Sequence, residues 1–180
     1  GSAIVPDKID VKFLKQLKKT VSKLSKRNKI VIVCGGGKVA RDYIKAAKQF
    51  GVHDKFASLV GIRTTKLNAT LVSLILNGNH LMPDSLKEVK DELKKRNVVV
   101  IGALGFQPNM TSDGDAAQVT AYLKANMFIN VTDVDGLFTK NPKEHKDAKF
   151  IPEISFNDFW KIASKIKYKA GQHFVLDQAG

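Results

Sequence analysis

The chain has 180 residues, 43% of them hydrophobic, and a formal net charge of +13. That length supports one domain with a real core, and no apolar run approaches the ~20 residues that cross a bilayer. The single cysteine, Cys34, excludes an internal disulfide framework and points to a reducing compartment.

In chain order, Gly1 to Pro6 is short and apolar. Asp10 caps a predicted helix running to about Arg27, with Phe13, Leu14, Leu17, Val21 and Leu24 on one face. A strand is predicted over 29–34, where Ile30 to Val33 are all β-branched, and it ends in Gly35-Gly36-Gly37. Val39, Tyr43, Ile44, Ala47 and Phe50 then recur at helical spacing over 38–50. Asp54 to Leu76 reads as helix with a break near Gly61, and Asn77-Gly78-Asn79 as a turn. Asp84 or Ser85 opens a charged helix ending near Arg96. Val98 to Ile101 is an unbroken β-branched run, hence a buried strand. A long loop, Gly102 to Ser112, leads to a helix over 113–124 and a strand over 127–131. Thr132 to Gly136 is a turn and 142–149 is polar and irregular. Ser155 to Ile166 is a helix, with Phe156, Phe159, Trp160 and Ala163 expected to face inward. Helices alternating with uniformly apolar strands predict an α/β domain whose parallel sheet is covered on both faces.

Ligands of such sheets bind at the carboxyl ends of the strands. Three loops are expected there: Gly35-Gly36-Gly37, Gly102 to Ser112, and Thr132 to Asn141. In the first, a glycine turn into a helix exposes backbone N–H groups, adds the positive end of the helix dipole and lets a phosphate come close. Lys38 and Arg41 add full charges. The same glycines also suit an ordinary structural turn. Neither the P-loop nor the dinucleotide fingerprint is present. In the second loop, Thr111 or Ser112 serves as a helix cap or as a phosphate ligand. Asp113 favours the helix dipole or orients a basic group or metal near a transferring phosphoryl. In the third, Thr132-Asp133-Val134-Asp135-Gly136-Leu137-Phe138 offers Phe138 to a base and Thr132 or Asp133 to its polar edge. No Ser-His-Asp or Cys-His arrangement is evident, and the four histidines, His53, His80, His145 and His173, lack metal spacing. Phosphoryl transfer by positioning and charge fits best. The lysine runs lack interleaved aromatics and read as a solvated surface rather than a nucleic-acid face.

Together these residues resemble the amino acid kinase family, and within it the archaeal type of uridylate kinase. Gly35-Gly36-Gly37-Lys38-Val39-Ala40-Arg41 is similar to the family's triple glycine and following arginine. Gly61-Ile62 leading to Leu67-Asn68-Ala69 is similar to its Gly-Ile to Leu-Asn-Ala helix. Thr111-Ser112-Asp113 resembles Thr-Thr-Asp, and 132–138 resembles Thr-Asn-Val-Asp-Gly-Val-Tyr. The chain departs from the pattern at Ser58, Phe138 and Asn141, where aspartate, tyrosine and aspartate are usual, and at Lys66, where arginine is usual.

The resemblance implies the amino acid kinase fold, a three-layer αβα sandwich with a mainly parallel central sheet. Residues 1–180 would form a single domain lacking the family's first strand and C-terminal elements. It implies a cytoplasmic phosphotransferase that uses ATP and Mg²⁺ to convert a nucleoside monophosphate, UMP, to its diphosphate in pyrimidine biosynthesis. Nucleotides would be its small-molecule partners, with no nucleic acid or membrane, and it would assemble as a dimer-based hexamer. By the same resemblance the acceptor would meet Gly35, Gly36, Ser58, Phe106, Gln107, Pro108, Asn109, Met110, Thr111 and Ser112. ATP would meet Gly1, Ser2, Gly37, Arg41, Thr132, Asp133, Phe138 and Asn141. Asp113 and Asp177 would lie on the phosphoryl path, with no protein metal site. Alternatives are a kinase of the same fold acting on isopentenyl phosphate, carbamate or an amino acid, or a non-catalytic nucleotide- or anion-binding module.

Overall fold

The structure is a computed structural model that describes residues 1–107, 110–132, 135–140, 142 and 144–164. Its centre is a parallel pair, β1 (Ile30–Val33) and β2 (Val98–Ile101), in register from Ile30 opposite Val98 to Val33 opposite Ile101. Side chains alternate across a strand, so each strand feeds two cores. On one face Ile32, Val98 and Val100 join Cys34, Leu14, Ala69 and Val72. On the other, Val31, Val33, Val99 and Ile101 join Val89, Leu93, Leu104 and Val119. The first core packs under α1 (Val11–Leu24) and α3 (Asp54–Leu76), and the second under α4 (Leu86–Lys95) and α5 (Ser112–Leu123). This is the layered α/β order expected. Val72, Val99, Val100 and Ile101 are fully buried, each worth roughly 1.5–3 kcal/mol of transfer free energy.

Local signals set the helix starts. Asp10 Oδ1 accepts from Phe13 N–H at 2.9 Å, Ser85 caps α4 through Glu88 N–H, and Thr111 caps α5 through Gly114 N–H at 3.1 Å. Each supplies an acceptor to an otherwise orphan amide. α2 (Gly37–Gln49) begins in the glycine turn. α3 runs unbroken through Gly61, where a break was expected. The missing side chain there serves packing: a Cβ would sit 3.1 Å from Ile44 Cδ1 on α2. Among the described residues α3 is also the one helix long and apolar enough to cross a membrane, contrary to the reading of the sequence. Here it packs against α1, α2 and β2.

The open edge of β2 is closed by a side chain. Asn79, 1% exposed, accepts from Val100 N–H at 2.7 Å and donates to Val100 C=O at 2.8 Å. Its carboxamide thus replaces one rung of a neighbouring strand.

Two expectations fail in the second half. Residues 127–131 form no strand, and Met127, Ile129 and Val131 are exposed. A strand exists only where a second backbone completes its ladder, and no described segment does so there. A short antiparallel pair appears instead on either side of the segment 142–149 read as irregular: β3 (Leu137–Phe138) with β4 (Phe150–Ile151). In α6 (Phe156–Ala163), Phe156 and Trp160 point outward at 94% and 62% exposure. Among the described side chains of α6 only Phe159 and Ile162 are partly covered, because no described element lies over the remaining face. The predicted continuation to Ile166 lies outside the described residues.

The lysines are exposed as expected, but unevenly paired. On α4, Lys94 pairs with Asp91 at 2.6 Å and Lys95 with Glu92 at 2.8 Å. Residues 11–41 contain no acid at all.

Candidate functional site

Two of the three anticipated loops converge where β1 and β2 end. Beyond β1 the chain passes through Cys34 into Gly35 and Gly36, and Gly37 adopts φ +63°, a left-handed conformation that favours glycine. The residue after β2, Gly102, lies hard against α3, where a Cβ would meet Lys66 N at 2.7 Å. Thr65 Oγ1 accepts from Ala103 N–H at 2.8 Å and fixes the start of the second loop. Asn68, 6% exposed, donates to Gly35 C=O at 2.8 Å and fixes the first. The two loops touch: a Cβ on Gly35 would lie 3.1 Å from Ser112 Oγ at the start of α5. The N-termini of α2 and α5 therefore meet across the glycine turn, and both helix ends carry partial positive charge.

The N-terminal residues close over this turn. Gly1 C=O accepts from Ile4 and Val5 N–H, and Val5 C=O accepts from Lys38 N–H at 3.2 Å. A Cβ on Gly37 would lie 2.9 Å from both Gly1 and Val5 carbonyl oxygens. The close approach that Gly37 permits is thus used by the chain itself, and one amide of the turn is occupied. Arg41 stands early in α2 and Asp113 in the first turn of α5, which puts a guanidinium and an acid beside the same turn. Lys38 is neutralised by Asp42 at 2.7 Å. Cys34 is 1% exposed, and burial pushes its thiol up to about 12. It is a core residue with no thiolate at neutral pH.

Gly1, Gly35, Gly36, Gly37, Arg41, Ser112 and Asp113 gather around one turn. Phe106, Gln107 and Met110 stand in the adjoining loop, where Gln107 pairs with Gln118 of α5 at 3.1 Å and Phe106 is exposed. Ser2 lies in the N-terminal turn. Thr111 spends its hydroxyl on the helix cap. Ser58 donates to Lys55 C=O at 2.7 Å, within its own helix. Phe138 packs edge-on against Phe150, ring centroids 5.5 Å apart, inside the β3–β4 pair. Thr132 precedes that pair, and no strand carries it to the sheet. Pro108, Asn109, Asp133, Asn141 and Asp177 lie outside the described residues.

Three contributors were given no role in the reading of the sequence, although Asn68 stands in the Leu67-Asn68-Ala69 motif. Thr65 and Asn68 act through long-range bonds that no local pattern signals. Asp115 is 2% exposed, accepts from Leu104 N–H at 3.3 Å and is pushed up to about 6 by burial, against the Leu104 bond. With Ile62, Ala103, Gly105, Gln107 and Met110 it lines a small pocket beside the second loop.

The sequence model of the amino acid kinase family matches residues 1–174. A uridylate kinase of Thermococcus sibiricus is 33% identical over 179 residues, 98% of this chain and 79% of that protein. One from Archaeoglobus fulgidus is 35% identical over 165 residues, covering 91% and 74%. Its crystal structure superposes with a TM-score of 0.78 at 33% identity, over 86% of this chain and 71% of that one. The UMP kinase of Bacillus anthracis shares the fold at a TM-score of 0.76 and 22% identity, over 99% and 77%. Matching motifs, matching layers and relatives across nearly its whole length place this chain in the amino acid kinase family.

Proposed function

We propose that this chain transfers the γ-phosphoryl group of ATP to a nucleoside monophosphate, with UMP the acceptor and ADP and UDP the products. The observation that carries the reading is the meeting of the glycine turn with the start of α5, which brings Arg41, Ser112 and Asp113 to one mouth. An oxygen of the acceptor phosphate attacks the γ-phosphorus, and the bond to the bridging β–γ oxygen breaks. Little covalent chemistry falls to the protein. Its task is to align two anions and offset their repulsion. Backbone amides at the two helix starts and the Arg41 guanidinium supply positive potential, and Asp113 orients the groups around the transferring oxygens. The Mg²⁺ of the reaction would travel with the nucleotide. When bound, it screens the phosphate charge.

Relatives named uridylate kinase support the acceptor. The polar amide of Gln107 on the pocket wall argues against isopentenyl phosphate, whose hydrocarbon chain would have to desolvate it. We read the chain as one kinase domain acting in the cytoplasm as a homo-oligomer. Phe56, Leu59, Leu67 and Leu74 share one face of α3 and are 60%, 41%, 66% and 59% exposed. A second copy would cover them.

The test is turnover of UMP, CMP and isopentenyl phosphate with ATP and Mg²⁺, by wild type and Ser58→Asp. UMP is expected to give the highest kcat/KM. Freed from its bond to Lys55, a carboxylate at this position should tighten UMP selectively, because ionised acceptors bond roughly twice as strongly. Preference for the isoprenoid would overturn the acceptor assignment. For the donor side, Arg41→Ala is expected to weaken nucleotide binding by about 1.5–3 kcal/mol, with only partial rescue by lysine, which lacks the forked donor. Equal calorimetric affinity would remove Arg41 from the phosphate site.

A further inference from the structure

Among the described residues Asp115 is the one buried acid. A buried carboxylate is costly unless it is well bonded. The bond the structure gives Asp115 is a single neutral one, from Leu104 N–H at 3.3 Å. That bond ties the first turn of the 102–112 loop to α5, eleven residues later. The loop wall is otherwise held by the Gln107–Gln118 amide pair and by Gln107 bonding Leu104 C=O at 3.0 Å. Leu104 is thus gripped at its N–H by Asp115 and at its C=O by Gln107. Asp115 also faces the pocket shared with Gln107 and Met110, and it stands two residues after Asp113 on the same helix.

We propose that Asp115 is a positioning residue for the acceptor: its carboxylate fixes the distance between the 104–107 turn and the start of α5, the two walls that hold the nucleoside monophosphate. The inference rests on the acceptor reading given above. An ionised carboxylate grips an amide more strongly than a neutral one, so the charged form holds the wall firmly and the protonated form loosens it. Burial and the Leu104 amide act on Asp115; the charged groups on the elements packed about it are Arg63 and Lys66 of α3, Lys87 and Lys90 of α4, and Asp113 of α5. Because burial raises its pKa in the folded state to about 6, the folded protein favours the proton. Its contribution to stability is therefore complete at pH below about 4, the unfolded value, and is lost as pH rises through about 6. At neutral pH the chain keeps a charge that stability alone would remove.

Asp115→Asn is a permanent mimic of the protonated state with nearly the same shape. In the full chain at pH 7.5, it is expected to raise the melting temperature while weakening calorimetric UMP affinity three- to tenfold. At pH 5 the two proteins should match in both respects. Comparing them cancels the ionisation of UMP itself. A core residue with no part in positioning would leave affinity unchanged. Hydrogen exchange at Leu104 gives a readout free of ligand, in which protection relative to the Asn variant should rise from pH 5 to 7.5. If Leu104 protection and UMP affinity are the same in both proteins at every pH, the inference is overturned. If Leu104 responds as expected but the wild type binds no UMP, the anchor at Leu104 stands and the acceptor reading falls.

Discussion

Replacing Asn79 by alanine should cost the protein about 3–5 kcal/mol, the largest effect expected of any single side chain outside the apolar core. Asn79 is 1% exposed and makes both edge bonds to Val100, at 2.7 and 2.8 Å, in the fully buried middle of β2. It also donates to Leu81 C=O at 2.8 Å, and its own C=O accepts from Ser73 Oγ at 2.5 Å. Alanine would leave Val100 N–H and C=O without partners in a place water does not reach. Each such group costs roughly 1–3 kcal/mol. Against a domain stability of about 5–15 kcal/mol, the melting temperature should fall by roughly 10 °C, at about 2–4 °C per kcal/mol. Asn79→Asp should be no better, since it keeps the acceptor but loses the donor and buries a charge. The exposed neighbour His80 provides the control, as His80→Ala should stay within about 0.5 kcal/mol. If urea denaturation gives Asn79→Ala the same midpoint as His80→Ala, the edge is closed by something other than this carboxamide.

Gly36→Ala should damage both stability and nucleotide binding, and the two can be separated. Gly36 has an ordinary φ of −77°, so its value lies in space rather than in backbone freedom. A Cβ there would sit 2.3 Å from Ala40 Cβ, on a residue 7% exposed. That overlap forces α2 from the glycine turn and should cost about 1–3 kcal/mol. Ala40→Gly removes the obstructing methyl, at about 1 kcal/mol for glycine inside a helix. The double variant Gly36→Ala/Ala40→Gly should therefore regain most of the lost stability yet still carry a methyl on the turn. If a phosphate approaches Gly36, nucleotide affinity should remain at least tenfold weaker than in Ala40→Gly alone. Full recovery of affinity would make Gly36 a packing glycine and move the phosphate elsewhere on the turn.

Both effects show how unevenly the site could be read in advance. The glycine turn and the Thr111-Ser112-Asp113 helix start were legible because they are local. A strand run, a cap and a turn are written in neighbouring residues, and the bonds they make span three or four positions. Their meeting was legible only through the general rule that such sheets bind at strand ends. The third loop was not, because its place depended on a strand at 127–131 that finds no partner in the described structure.

The sequence by itself determined the two buried parallel strands, the helices and their caps, and the charge of the surface, since β-branched runs, apolar spacing and capping side chains act over a few residues. Only the tertiary structure decided that Gly61 packs against Ile44 rather than breaking α3, that Asn79 closes the sheet edge, that Asn68 and Thr65 brace the two loops, and that Asp115 is buried. Each of these depends on a partner 11 to 38 positions away, and on the exclusion of water that such contacts produce. A glycine, an asparagine or an aspartate looks the same in the sequence whether it meets solvent or a buried neighbour. The free energy that separates the two outcomes arises only when distant segments close on one another.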